Sequence, residues 1–142
     1  MKNKEEEDKN IQGVNHPSHY SHRSGLDAIV WIDRYGMDFE TGNCFKYLFR
    51  CGLKPGESEA KDTEKAKWYF RHESYKVKRT SCMLTWLEAK RRVYDRLAVA
   101  FGPPGKKDDG TEDWTVGGCD MPGAIETLNG FMDVEYDPEY QI

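Results

Sequence analysis

Apolar residues recur at helical spacing in four stretches of this chain. In Leu26 to Tyr35, the residues Leu26, Ile29, Val30 and the Trp31/Ile32 pair cover one broad side, and Gly36 follows as a terminator. From Asp38 to Cys51, Phe39, Phe45, Leu48 and Phe49 form an apolar stripe that Gly52 closes. A turn-rich run, Lys54-Pro55-Gly56-Glu57-Ser58, comes next. Asp62 or Thr63 is then placed to cap a third helix reaching about Tyr75, with Ala66, Trp68, Tyr69 and Phe70 on its inner side. Ser81 to Phe101 carries Leu84, Leu87, Tyr94, Leu97, Ala98 and Phe101 three and four residues apart, the pattern of an amphipathic helix. Proline and glycine in Phe101-Gly102-Pro103-Pro104-Gly105 stop that helix. Beyond them, the pattern suggests only an edge strand at Trp114-Thr115-Val116 and a short helix over Ala124 to Leu128.

This reading predicts a mainly α fold: a small helical domain of three to four helices with an irregular acidic C-terminal appendix. Its boundaries are a disordered N-terminal segment at 1–12, a helical domain at 13–101 and the appendix at 102–142. The chain has 142 residues, and its 4 Trp, 8 Tyr and 6 Phe supply enough large rings to seed a core. No apolar run approaches the roughly 20 residues of a membrane span, and no charged–apolar–small leader opens the chain. A soluble, cytoplasmic protein without a membrane is expected. Cys44, Cys51, Cys82 and Cys119 show no C-x-x-C pairing and read as free thiols in a reducing compartment.

Charge is unevenly distributed. Residues 103–142 hold two basic and ten acidic groups, whereas residues 1–102 hold 19 basic and 15 acidic ones. A basic body with an acidic appendix suits the handling of anions, and equally suits a solvated surface with a solubilising tail. The body's modest excess argues against nucleic acid as the partner.

The polar faces narrow the chemistry. Asn43, Lys46 or Tyr47, Arg50 and then Lys54 recur at helical spacing, so that an amide, an ammonium, a phenol and a guanidinium point one way. Such a set suits a phosphate, because arginine offers a planar fork and lysine a point charge; the alternative is an ordinary solvated face. Asp62, Lys65, Tyr69 and His72 make a second row on the next helix, in which Asp62 reads first as a cap. Before the helices, His16-Pro17-Ser18-His19-Tyr20 and His22 gather three histidines, for either a metal or an anionic ligand. Ligand-spaced cysteines are absent, which favours the anion and leaves the metal assignment at none. The chain has no G-x-x-x-x-G-K-[ST], G-x-G-x-x-G, G-x-S-x-G or H-E-x-x-H sequence. A P-loop is excluded, and any phosphate must be held by side chains.

The ordered set resembles a known family. His16-Pro17-x-His19-Tyr20 is followed by Gly25-x-Asp27 and by G-N-x-x-K-Y-L-x-R from Gly42 to Arg50. Lys54 and Asp62-x-x-Lys65-Ala66-x-Trp68-Tyr69 complete the series. Spanning Val14 to Phe70, it is similar to a small phage-borne family catalogued as a domain of unknown function, which includes the nucleotide kinase of the T-seven type of coliphage. Asp27 stands where the family more often has Glu. The resemblance implies a phage-encoded protein in the host bacterial cytoplasm. It also implies phosphoryl transfer between deoxynucleotides, by an enzyme that lacks the usual nucleotide motifs and forms a homo-oligomer. The family's shared polar residues fall on His16, His19, Tyr20, Asn43, Lys46, Tyr47, Arg50, Lys54, Asp62 and Lys65. On that footing His16, His19, Lys46 and Arg50 are the expected catalytic residues, and Tyr20, Asn43, Tyr47, Lys54, Asp62, Lys65 and Tyr69 the expected substrate-binding ones. Mg2+ arriving with a nucleoside triphosphate donor is the only cofactor expected. Two alternatives to a deoxynucleoside monophosphate kinase are a module that sequesters a nucleotide or nucleotide-derived defence signal and a factor that binds a host protein.

Overall fold

The computed structural model describes residues 17–141; the expected disordered segment at 1–12 and His16 lie outside them. A 3-10 turn at Ser18–Tyr20 precedes α1 (Ala28–Arg34) and α2 (Phe39–Phe49). Then come α3 (Glu59–Thr80), α4 (Trp86–Ala100), β1 (Pro104–Lys106), β2 (Glu112–Gly117) and α5 (Pro122–Phe131). The fold is mainly α.

Helix starts follow local chemistry. Asp38 caps α2 by accepting from the Thr41 N–H, Ser58 caps α3 through the Lys61 N–H, and Thr85 caps α4 through the Glu88 N–H. The third helix is therefore capped four residues before Asp62, which with Thr63 was an expected cap, and extends five residues past Tyr75. The fourth starts at Trp86 rather than Ser81. Gly36 and Gly52 end the first two helices with φ of +58° and +75°, a region that glycine enters without penalty.

The most extensive packing is α2 against α3, with α4 laid on α3. Trp31, Phe45, Phe70, Val93 and Leu97 are fully buried, and Phe45 stacks on Phe101 with centroids 4.7 Å apart. The stretch beyond Gly102 is more ordered than an irregular appendix. The anticipated strand pairs antiparallel with β1, and the anticipated helix, as α5, sends Leu128 and Phe131 into the same core. Arg34 fastens this stretch to α1 by donating to the carbonyls of Gly117 and Trp114 at 2.6 and 2.7 Å. At Gly118 a Cβ would lie 2.6 Å from the Gly102 carbonyl oxygen, so the crossing over the end of α4 requires glycine. Trp86, Trp114 and Tyr140 are partly buried. Trp86 donates to the Val134 carbonyl at 2.8 Å, and Tyr140 stacks on Tyr75 with centroids 4.1 Å apart.

Because Leu128 is fully buried among elements that start from both halves of the chain, Leu128→Ala is expected to cost about 2–5 kcal/mol. Urea denaturation checks this; a loss below about 1 kcal/mol would mean that α5 is an accessory to the core.

Candidate functional site

The end of α2 meets the start of α3 through one buried ion pair. After the last turn of α2, the Gly52 bend folds the chain back, and the Arg50 side chain turns inward toward α3. Its Nη2 donates to Asp62 Oδ1 at 3.0 Å and its Nη1 to the Tyr20 hydroxyl at 3.1 Å. The second Asp62 oxygen accepts from the Gly52 N–H at 3.1 Å. These two side chains are 3% and 0% exposed. Burial works against the guanidinium charge, but the bonds to Asp62 and Tyr20 outweigh it and hold Arg50 above its ordinary range. Asp62 is thus an internal anchor rather than a helix cap. Arg50, expected on an outer phosphate-binding face, is a buried brace across the 3-10 turn, α2 and α3.

Other cations gather around this brace. Lys46 Nζ and the Arg50 guanidinium each lie 4.6 Å from the centre of the Tyr47 ring, and Lys65 Nζ lies 5.4 Å from it. Burial, followed by the charges of Arg50, Lys54 and Lys65, lowers the Lys46 ammonium from its ordinary value. His19 is lowered by burial and then by Arg50 and Lys54. Of the acids here, Asp62 is spent on Arg50, and Glu57 is shared by Lys61 and Lys65, each at 3.5 Å. The cluster is therefore short of negative charge.

Beside it opens a hollow of about 200 Å³ lined by Pro17, Tyr20, Asp27, Ala28, Ile29, Ile32 and Lys46. Sites that enclose a whole drug-sized ligand usually measure roughly 300–1,000 Å³. This one suits a single ring, with charged groups left outside on the cations. Asp27 accepts from the Ser21 hydroxyl at 2.9 Å within it. Ile29 and Ile32 were read from sequence only as part of a core face. The signal for a second role was the breadth of that face: Leu26, Ile29, Val30, Trp31 and Ile32 are too many for one buried stripe.

The structure thus brings together His19, Tyr20, Lys46, Tyr47, Arg50, Lys54, Asp62 and Lys65. Asn43 spends its amide within its own helix, donating to the Phe39 carbonyl at 2.8 Å. Tyr69 adjoins the cluster through Tyr47, with centroids 6.0 Å apart. His72 belongs to the far end of α2, 3.9 Å from Glu40 and bonded to the Tyr140 hydroxyl. His22 is enclosed by Trp31, Phe49 and Trp114, as a packed imidazole. The carboxylates of the cation cluster do not fit a Mg2+ ion, since Asp62 and Glu57 already serve Arg50, Gly52, Lys61 and Lys65. Among the described residues, acids close enough to share a metal are Asp38, Glu40 and Glu73 at the opposite end of α2, where Lys76 and Arg96 pair with them.

Residues 14–71 match the model of a family described as protein of unknown function, DUF3310. The match takes in the 3-10 turn, α1, α2 and the first half of α3, less than half of the chain, and ends before α4. It contains all the residues of the cation cluster and its hollow. Comparison with curated proteins and with solved structures finds no match. No helix among the described residues is long and apolar enough to cross a membrane.

The lowered His19 makes a pH expectation. With its folded value below its unfolded one, its contribution to stability is complete above about pH 6.5 and is lost as pH falls through the folded value. An anion on the cluster offsets the Arg50 and Lys54 charges, so phosphate is expected to raise the His19 pKa. Proton NMR titration of His19 with and without phosphate measures this, and an unmoved or falling value would contradict it.

Proposed function

We propose that this chain binds nucleotides by their phosphates and acts as a phage-encoded deoxynucleoside monophosphate kinase without a P-loop. The observation that supports binding is the under-neutralised cluster of Lys46, Lys54, Lys65 and His19 beside an apolar hollow of ring size. Mutual repulsion that depresses a lysine is relieved by an anion, which makes phosphate its natural complement. The kinase half rests on the resemblance in Gly42 to Arg50 and in Asp62 to Tyr69.

Phosphoryl transfer asks for positioning and charge neutralisation more than for covalent chemistry by the protein. The bond between the γ-phosphorus of a triphosphate donor and its bridging oxygen breaks as an oxygen of the acceptor monophosphate bonds to that phosphorus. Two diphosphates result. In this reading Lys46, Lys54 and Lys65 neutralise phosphate oxygens, and His19 hydrogen-bonds one of them. Tyr20 walls the hollow that takes base or sugar, while Arg50 and Asp62 position Tyr20 and Tyr47. Tyr47 itself is covered by cations and serves as their platform rather than as a stacking face for a base.

A nucleotide panel, read by thermal shift and by product chromatography, tests both halves. Conversion of a labelled deoxynucleoside monophosphate to its diphosphate, dependent on a triphosphate donor, is expected. A specific observation favours a second reading, a sequestering module: Asp62 and Glu57 are engaged with Arg50, Lys61 and Lys65, leaving neither to hold the Mg2+ that would accompany a triphosphate donor. Stabilisation by a nucleotide recovered intact would select that reading. No shift with any nucleotide would overturn both.

A further inference from the structure

Phe39 and Trp68 are 71% and 45% exposed, a large share for aromatic side chains of a folded domain. They lie in a continuous strip. Tyr47, under Lys46, Arg50 and Lys65, faces Tyr69 in near-parallel planes at 6.0 Å. Tyr69 in turn meets Phe39 at 6.1 Å and Trp68 at 5.0 Å, and Trp68 stacks on His72 at 5.0 Å. The strip follows the α2–α3 pair from the cation cluster to the start of α2. The 11 residues of α2 make this about 16 Å long, farther than one nucleotide reaches from phosphate to base.

We propose that this strip takes a short single-stranded oligonucleotide, its terminal phosphate on Lys46, Lys54 and Lys65 and its successive bases on Tyr69, Trp68 and Phe39. The inference rests on the nucleotide-binding reading and extends its ligand from one nucleotide to several. Three features favour this occupant. Positive charge is concentrated at one end while aromatic faces continue from it, which is the polarity of a strand bound by its end. Exposed rings accept any base, since every base has a π-face. At the far end Lys76 and Arg96 pair with Glu40 and Glu73 at 2.9 and 3.3 Å, which offsets two of the three carboxylates gathered there with Asp38, and the Lys76 ammonium remains partly exposed.

The test is titration calorimetry of the full chain with 5′-phosphorylated deoxyadenylates of one to four residues. Affinity is expected to rise roughly tenfold for the first added residue and to level off once the strip is covered. Trp68→Ala, at a site open enough to leave the fold unchanged by circular dichroism, is expected to remove this gain and to leave the mononucleotide affinity as it was. Equal affinity for all four lengths, with mononucleotide binding retained, would overturn the inference and leave the proposed function standing. No binding at any length would overturn both. A Trp68→Ala protein that changes sedimentation mass, yet keeps the full gain with length, would assign the strip to a second copy and also overturn the inference.

Discussion

Asp62→Ala is expected to destabilise the protein by about 3–5 kcal/mol. The substitution leaves the Arg50 guanidinium, 3% exposed, without its counter-charge and strips the Gly52 N–H of its acceptor. Arg50→Ala leaves Asp62 stranded in the same way and is expected to cost a similar amount. Either single variant therefore loses ligand binding through the fold, whatever its local role. The informative protein is the double variant Arg50→Met with Asp62→Leu, in which apolar groups of similar size replace both charges and most of the lost stability returns. Urea denaturation of the three proteins measures this. Single-variant losses below about 1 kcal/mol would show that the pair is not the brace described above.

Lys46→Met is expected to act in the opposite sense, weakening nucleotide binding roughly 10–100-fold while leaving stability unchanged or slightly improved. Loss of a charge-assisted phosphate contact of about 1.5–3 kcal/mol gives that range. The stability expectation comes from the lysine's surroundings. Burial and the charges of Arg50, Lys54 and Lys65 disfavour its ammonium in the folded state, so removing it relieves a strain that only a bound anion otherwise offsets. Paired calorimetric and denaturation measurements read both signs. Full affinity in the Lys46→Met protein would remove this residue from the site.

Both substitutions show where the sequence was legible. Helices α1, α2 and α4 follow from their apolar periodicity and glycine stops, and even the strand at Trp114–Val116 and the helix near Ala124–Leu128 are visible in the pattern. The convergence of Lys46, Lys54 and Lys65 is legible only as a concentration of cations, because Lys54 lies in the loop after α2 and Lys65 on α3, so no single helical spacing joins the three. Spacing does not reveal which face is covered. Arg50 shares a row with Lys46, but the Gly52 bend brings α3 back beside it and Asp62 pairs with it there, an interaction between helices that neither periodicity contains. Asp62 misled for a related reason: an acid near a helix start reads as a cap, while Ser58, four residues earlier, fills that role. The hollow left only the breadth of the α1 apolar face as a signal, because Ile29 and Ile32 look like core residues until the position of Tyr20 is known. Order beyond Gly102 was underestimated since Arg34, Gly118 and the burial of Leu128 act over long sequence separations.

The central claim is that phosphate binds where His19, Lys46, Lys54 and Lys65 converge. Chemical-shift mapping of the isotope-labelled protein with a deoxynucleoside monophosphate tests it most directly. Perturbations centred on His19, Tyr20, Lys46, Lys54 and Lys65, fading toward α4 and α5 and weakening with added salt, are expected. Perturbations centred instead on the Asp38, Glu40 and Glu73 end, or none at saturating nucleotide, would contradict the account.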